Sequence, residues 1–387
     1  MTTPLVYLIA GEPSGDLLAA RLMVALREIS GGDIRFAGVG GEAMREQGME
    51  SLFPQSDLAV MGFAEVVPRI PKILRRLKQT LEDIRKRQPD VIVTVDSWGF
   101  TGRVAKNLKA QGSTIPRVHY VAPMVWAWKE KRVHQLAERV DLLLCLLPQE
   151  PAFFTKVGLK AVHVGHAVLE SGAEKGDGAA LRARHAIPPD VPLLCVLPGS
   201  RRSETSRLLP IFQDTVARIA ADFPGLRVVV PTVETVAEEV GRAKWPVPAC
   251  VVHGTGERND AFAACRVALA ASGTVALELG LAHLPMVIGY RVNRLTGFIA
   301  KRLLKIRFVC LLNLLVDRLV VPEFLQENCR ADLLAAALSG LMDEGAARKA
   351  QLDGAAEALV LLGLGGDSPS QRAAREILFV IKERARK

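Results

Sequence analysis

Leu5-Val-Tyr-Leu-Ile-Ala-Gly-Glu-Pro-Ser-Gly-Asp16 is the stretch on which the fold turns. Its first half, Leu5–Ala10, is a short apolar run of the kind that forms a strand covered on both faces. Gly11 to Asp16 then makes a turn, and Leu17–Glu28 carries a helical pattern. Working outward, strands are expected at Ile34–Val39, Val91–Val95, Arg117–Val121, Leu142–Leu147 and Ala161–Val164, with helical stretches between them. This alternation predicts a parallel, doubly wound sheet. Residues 171–180 are small, polar and glycine-rich and read as a linker. The alternation then restarts with Leu193–Leu197, Arg227–Val230, Ala249–Val252, Val267–Ala270 and Met286–Tyr290. The chain is therefore expected to be α/β, with two Rossmann-like doubly wound lobes at 1–170 and 171–345. A helical tail, 346–387, has a glycine break at Gly363-Leu364-Gly365-Gly366 and crosses back to the first lobe or to a second subunit.

Composition agrees with two domains: 387 residues against roughly 100–200 per domain. At 49% hydrophobic and 24% charged the chain can bury a core and stay soluble, and its 5% aromatics suit helix-covered parallel sheets. A formal charge of +9 points to an anionic partner: nucleic acid, a phosphorylated substrate or an acidic lipid surface. The scarcity of aromatics for base stacking argues against nucleic acid. None of the six cysteines forms a C-x-x-C pair or sits at zinc-ligand spacing from a histidine, so free thiols in a reducing cytoplasm are expected. Met1-Thr-Thr-Pro-Leu5 has no charged n-region, and no apolar run approaches the ~18–20 residues of a membrane span, so membrane contact is expected to be peripheral.

In open α/β sheets ligands lie beyond the carboxyl ends of the strands. After the first strand, Gly11, Glu12, Ser14 and Gly15 form either an anion-binding turn or an ordinary capped helix start. It is not a G-x-G-x-x-G turn, which weakens dinucleotide binding and an NAD(P) oxidoreductase reading. Leu197-Pro-Gly-Ser-Arg-Arg-Ser-Glu204 opens the second lobe with Gly199, Ser200, Arg201 and Glu204 in a turn suited to phosphate. Ser272, Gly273 and Thr274 form a second such turn, and Glu278, one helical turn on, is placed either for the two hydroxyls of a ribose or simply to complement the helix dipole. Two anion-binding turns in one lobe point to a nucleotide diphosphate. Asp96 ends the third strand as a helix cap or a catalytic carboxylate, with His166 as a second candidate base; His119 lies within a strand. There is no D-x-D triplet, so a transfer without metal ion or cofactor is expected, with arginine and helix N-termini neutralising the leaving group.

Two basic amphipathic stretches bear on the membrane. In 69–87, Ile70, Ile73, Leu74, Leu77, Leu81 and Ile84 form a stripe flanked by Arg69, Lys72, Arg75, Arg76, Lys78, Arg85, Lys86 and Arg87. In 291–318, Arg291, Arg294, Lys301, Arg302, Lys305 and Arg307 interleave with Phe298, Ile299, Leu303, Leu304, Ile306 and Phe308. Each stretch either lies on anionic lipid or packs its stripe against the core.

Several longer motifs resemble those of the lipid-A-disaccharide synthases, a bacterial glycosyltransferase family. They are Gly-Glu-Pro-Ser-Gly-Asp at 11, Val-Met-Gly-Phe-Ala-Glu-Val at 60, Val-Trp-Ala-Trp-Lys-Glu-Lys-Arg at 125, Leu-Pro-Gly-Ser-Arg at 197, Ser-Gly-Thr-Val-Ala-Leu-Glu at 272, Pro-Met-Val-Ile-Gly-Tyr-Arg at 285 and Asn-Leu-Leu at 313. The resemblance runs from about Leu5 to about Arg330 and implies a GT-B fold. It implies inverting β-1,6 transfer from UDP-2,3-diacylglucosamine to 2,3-diacylglucosamine 1-phosphate with loss of UDP. It also implies a peripheral enzyme on the inner face of the inner membrane, often dimeric through an exchanged C-terminal region. By the same resemblance Asp96 is the base, Arg201, Asn313 and Gln326 line the UDP-sugar site, and Glu278 holds the ribose. One departure stands out: the family pattern continues from that Asp as a small residue and then Pro-Asp-Phe, whereas here it reads Asp96-Ser97-Trp98-Gly99-Phe100. Rival readings are another GT-B enzyme on UDP-N-acetylglucosamine, an epimerase or peptidoglycan-type transferase, and a non-catalytic anion-binding protein.

Overall fold

The computed structural model describes residues 3–58, 63–123, 131–271, 273–293 and 307–386. The chain divides into two compact units, Met1–Ala167 with Gly365–Lys387, and Val168–Leu364. The first holds a six-stranded parallel sheet in the order β2-β1-β3-β4-β5-β6. Its strands are β1 (Leu5–Ala10), β2 (Arg35–Val39), β3 (Val91–Val95), β4 (Arg117–Tyr120), β5 (Leu142–Cys145) and β6 (Ala161–His163). Alternation along β1 assigns its side chains to two cores. Val6, Leu8 and Ala10 pack with helix α1 (Pro13–Ser30), while Leu5, Tyr7 and Ile9 pack with α2 (Phe63–Arg87) and α3 (Trp98–Ala110). Helix α1 starts with Pro13 in its first turn and ends at Gly31, whose left-handed backbone (φ 67°) lets its amide reach the carbonyls of Arg27 and Glu28.

The second unit repeats the plan in the order β12-β11-β10-β7-β8-β9. Its strands are β7 (Leu193–Leu197), β8 (Arg227–Thr232), β9 (Ala249–His253), β10 (Val267–Ala270), β11 (Met286–Tyr290) and β12 (Glu323–Leu325). The helices that matter below are α4 (Arg202–Asp222), α5 (Gly254–Ala264), α6 (Val275–Leu281), α7 (Leu311–Val316) and α8 (Ala346–Leu362). Every strand expected from the sequence is present, with ends moved by a residue or two; β12 is additional. It is a three-residue edge strand, too short to show a period.

The tail splits between the units. Helix α8 stays with the second: buried Gln351 accepts the Met286 amide at 2.6 Å and donates to the Met286 carbonyl at 3.0 Å, pinning the helix to the start of β11. Helix α9 (Pro369–Ala385) belongs to the first. Its N-terminus is a reciprocal capping box between Ser368 and Gln371. Ala373, Ala374, Ile377 and Ile381 join the α1 core, and Arg384 donates to the carbonyls of Pro89 and Asp90 at 2.7 and 2.8 Å.

The glycine-rich stretch at 171–180 is not the loose linker its composition predicts. A Cβ on Gly176 would fall 2.0 Å from the Asn259 carbonyl oxygen, and one on Gly178 would fall 2.7 Å from that of Ala263. These glycines serve close approach to α5 rather than flexibility. All six cysteines are free thiols, five of them buried.

The apolar stripe of α2 divides by depth. Leu77 and Ile84 are buried, Ile73 and Leu81 pack against the same core, and Ile70 and Leu74 stay exposed. Tyr7 on β1 donates to Asp83 at 2.9 Å, and Arg76 bonds Asp57 through Nε at 2.8 Å and Nη2 at 2.6 Å. Lys72 also reaches Asp57, and these two cations hold its carboxyl below the usual range. A depressed folded-state pKa supplies stability that is present above the unfolded value of about 3.9 and is lost as pH falls through the folded one. Asp57→Asn should therefore lower the melting temperature at pH 7, with the gap from wild type closing as the pH is taken below about 4. A gap independent of pH would remove the charge from the argument. In the second basic stretch, 294–306 lies outside the described residues; its flanks, Arg291 and Phe308, are turned inward. Among the described residues no helix is long and apolar enough to cross a membrane.

Candidate active site

In the first unit the chain crosses from one half of the sheet to the other between β1 and β3, and Ala10 and Val95 pair at their carboxyl ends. The loops that follow these strands are forced together at this switch point, where α/β sheets bind ligands. Gly11 is required there: a Cβ would fall 2.9 Å from Ser97 Oγ. Ser97 Oγ donates to Glu12 Oε1 at 3.1 Å. The loop from β3 is strained, with left-handed backbone at both Asp96 (φ 50°) and Ser97 (φ 44°). Such residues cost on the order of 1–3 kcal/mol each and persist only where their surroundings over-determine them. The Asp96 amide donates to the Tyr120 carbonyl at 2.9 Å, Thr101 Oγ1 donates to the Asp96 carbonyl at 2.9 Å, and the Ser97 amide donates to Asp96 Oδ1 at 2.8 Å. The result is a half-buried carboxyl group held in orientation at the carboxyl edge of the sheet.

Ser14 is exposed and Gly15 buried in the first turn of α1, where Gly15 packs against Val95. Asp16 is buried, and its oxygens accept the amides of Gly41 at 2.7 Å and Ala43 at 2.8 Å at the start of the helix Glu42–Glu46. Trp98 packs inward beside His119 and Gly102. Its ring meets His119 edge-on at 4.8 Å between centroids, and a Cβ on Gly102 would fall 2.8 Å from it. His119 shares a 2.8 Å hydrogen bond with Thr94, and full burial pushes its pKa down to about 3, so the ring is neutral. His166 follows β6, three strands from β3 or roughly 14 Å at the usual spacing. Burial takes its pKa to about 4, which leaves a weak base far from Asp96.

In the second unit the switch point falls between β7 and β10, where Leu197 pairs with Ala270. The turns Gly199–Arg201 and Gly273–Thr274, far apart in sequence, therefore emerge side by side. Ser272 lies outside the described residues. Gly199 has φ 115°, and a Cβ there would fall 2.7 Å from Glu204 Cβ. The Glu204 carboxylate occupies the donors of this turn, accepting the Ser200 amide at 3.1 Å, Arg201 Nη1 at 3.4 Å and the Tyr290 hydroxyl at 3.3 Å. An acidic side chain in the first turn is drawn to helix N–H groups as a phosphate is. Burial and Glu204 together raise the Tyr290 pKa. The Arg201 side chain is 67% exposed and is the cation this turn offers outward.

Glu278, in the first turn of α6, is 17% exposed and bonds Arg258 Nη2 at 3.1 Å. Gln326 follows β12 with left-handed backbone (φ 53°), its turn braced by Arg291, which donates to the carbonyls of Gln326 at 3.2 Å and Cys329 at 2.8 Å. Asn313 is fully buried on α7. Its Oδ1 accepts the amides of Val320 and Val321 at 2.8 Å, and its Nδ2 donates to the Val321 carbonyl at 2.8 Å. It shapes the loop into β12 and presents no contact of its own at a surface. Tyr290 carries no signal in the sequence beyond its place in the motif at 285, and Arg291 is expected there only as part of a basic stretch. Arg258 had no sequence signal, because its partner Glu278 stands on a different helix. Among the described residues no three histidine, cysteine or acidic side chains are grouped as metal ligands.

The first unit thus carries an oriented carboxyl group at its switch point, and the second carries at its own switch point two adjacent turns that enter helices, with an exposed arginine and a half-buried glutamate. Solved structures agree on the fold. A UDP-N-acetylglucosamine 2-epimerase superposes with a TM-score of 0.65 at 13% identity, covering 99% of this chain and 98% of that one. A UDP complex of Staphylococcus aureus MnaA gives 0.64 at 13%, covering 99% and 97%. At these identities they show the GT-B fold alone. Sequence relatives say more. The lipid-A-disaccharide synthase of Paramagnetospirillum magneticum is 58% identical over 383 residues, 98% of each chain. That of Rhodospirillum centenum is 51% identical over 382 residues, 98% of this chain and 95% of the other. The family model for lipid-A-disaccharide synthetase matches residues 6–376. The chain belongs to the lipid-A-disaccharide synthase family, the glycosyltransferases of lipid A biosynthesis.

Proposed function

We propose that the chain transfers 2,3-diacylglucosamine from its UDP derivative to the 6-hydroxyl of 2,3-diacylglucosamine 1-phosphate, inverting the anomeric centre and releasing UDP. The observation that carries this reading is the strained, oriented Asp96 at the first switch point, beside Glu12 and Ser97. Asp96 accepts the proton of the acceptor hydroxyl as that oxygen attacks the anomeric carbon from the face opposite UDP. Negative charge then grows on the departing diphosphate. Arg201, the Gly199–Ser200 turn and the turn at Ser272–Thr274 neutralise it, and Glu278 holds the ribose. Glu204 now fills the Ser200 amide, so a phosphate at that turn displaces its carboxylate or binds beside it through Arg201. Gly11, Glu12, Ser14 and Gly15 shape the acceptor side, with Asn313 and Gln326 shaping the donor side. No step calls for a cofactor or a metal ion.

Acylated substrates call for reaction at a membrane surface, and this reading puts it at the cytoplasmic face of the inner membrane. Exposed Ile70 and Leu74 on α2, among basic side chains, support a peripheral contact with anionic lipid. A homodimer through the C-terminal region is part of the same reading.

The decisive assay follows UDP release from UDP-2,3-diacylglucosamine in detergent, with EDTA, with and without the acylated sugar 1-phosphate. Release that requires the acceptor and resists the chelator is expected. Equally fast turnover of water-soluble UDP-N-acetylglucosamine would replace this reading by an epimerase or another transferase. Arg201→Ala should lower kcat/KM for the donor by about a hundredfold, the scale of losing one charge-stabilising donor. Unchanged kinetics would take Arg201 out of the site.

A further inference from the structure

Arg258 and Glu278 lie in separate helices, α5 and α6, and form a largely enclosed ion pair near the second unit's switch point, with side chains 27% and 17% exposed and an N–O distance of 3.1 Å. The guanidinium is itself held from two sides. It lies 5.7 Å over the buried ring of Phe262, one turn along α5, and its Nε and Nη2 approach Asn259 Oδ1 at 3.4 and 3.3 Å. Asn259 is anchored in turn, donating from Nδ2 to the Gly172 carbonyl at 2.9 Å. The glycine-rich segment 171–180, pressed against α5 through Gly176 and Gly178, is thus the base of a relay that runs Gly172, Asn259, Arg258, Glu278.

We infer that Arg258 is a positioning residue for nucleotide recognition, acting through Glu278 to fix the carboxylate that receives the ribose hydroxyls of the donor. This rests on the reading of Glu278 as the ribose ligand. A carboxylate that accepts two vicinal hydroxyls must be set in one plane, and a glutamate side chain with free torsions does not meet that demand. The helix N-terminus of α6 favours the charge but leaves the side-chain torsions open. A charge-assisted bond from a guanidinium already locked over an aromatic face fixes them. Arg258 touches no part of the substrate in this scheme. Its contribution is therefore confined to the ribose and leaves the uracil and diphosphate contacts alone.

Calorimetric titration with UDP and with 2′,3′-dideoxy-UDP separates this role from a structural one. Wild type should bind UDP about ten- to a hundredfold more tightly than the dideoxy compound, the scale of hydrogen bonds to a charged group. Arg258→Met, whose apolar chain can still cover Phe262, should lose most of that preference while binding dideoxy-UDP as wild type does. Arg258→Lys should recover part of it. Glu278→Gln should abolish the preference, and adding Arg258→Met to it should change nothing further. If Arg258→Met keeps the full wild-type preference, or weakens both ligands equally, Arg258 is not the positioning residue. If wild type itself fails to distinguish the two ligands, the ribose role of Glu278 falls first, and the inference with it.

Discussion

Asp96→Asn should reduce kcat by about 10²–10⁴-fold, the range of a positioned general base, and leave UDP affinity unchanged. Asparagine has nearly the same shape, its carbonyl oxygen can still accept the Ser97 amide, and it tolerates left-handed backbone as aspartate does. The loop should therefore survive, and the melting temperature should stay at the wild-type value. What disappears is the ability to take a proton. UDP is assigned to the second unit, so its binding provides an internal control. Near-wild-type turnover in this variant would end the assignment of Asp96 as base. Ser97→Ala makes a useful companion, because it removes the hydroxyl that donates to Glu12 without touching the base.

Gly38→Ala should be the most damaging single methyl group in the first unit. Gly38 lies in β2 beside Leu8 of β1, with φ 138°, and a Cβ there would fall 1.8 Å from the Leu8 carbonyl oxygen. The atom it would meet is backbone of the neighbouring strand, so relief requires β1 and β2 to part. The expected cost is above about 4 kcal/mol, seen as a large drop in the urea midpoint of the first unit or as loss of soluble protein. Gly31→Ala is the control. Gly31 also has positive φ, 67°, but nothing lies within 4 Å of its Cβ position, so only the backbone preference is lost, about 1 kcal/mol. Equal effects of the two substitutions would mean that the β1–β2 register is not as described. The site feels this strand directly, since β1 delivers Gly11 and Glu12 to Asp96.

The amphipathic helix α2 shows where pattern alone stops. Its stripe reads the same whether it faces lipid or core, because both are apolar. Packing assigns Leu77 and Ile84 to the core and leaves Ile70 and Leu74 outside. The glycine-rich segment at 171–180 misleads in the opposite direction. Composition makes it a linker, whereas Gly176 and Gly178 are small because α5 passes within contact of their backbones. The family resemblance gives Asn313 a place in the UDP-sugar site, and the structure shows its amide bonded to the backbone of Val320 and Val321, partners that the motif at 313 does not reveal.

Local order in this chain is written in its sequence. Apolar runs bounded by glycine, proline and capping residues specify strands and helices because those signals act over a few neighbouring residues, and eleven strands were legible in this way. So were the turns after β1, β3, β7 and β10, each a strand running into a helix start. Tertiary structure alone decided which turns meet. Strand order, set by how the buried faces of whole helices and sheets fit, places β1 against β3 and β7 against β10. That brings Glu12 to Ser97 and the Arg201 turn beside the Thr274 turn. It also decided that Glu204 meets the Tyr290 hydroxyl and that Glu278 is held by Arg258. Such partners are distant in the chain, and no local preference encodes them; they are chosen by the packing that buries the most apolar surface while leaving no buried charge alone.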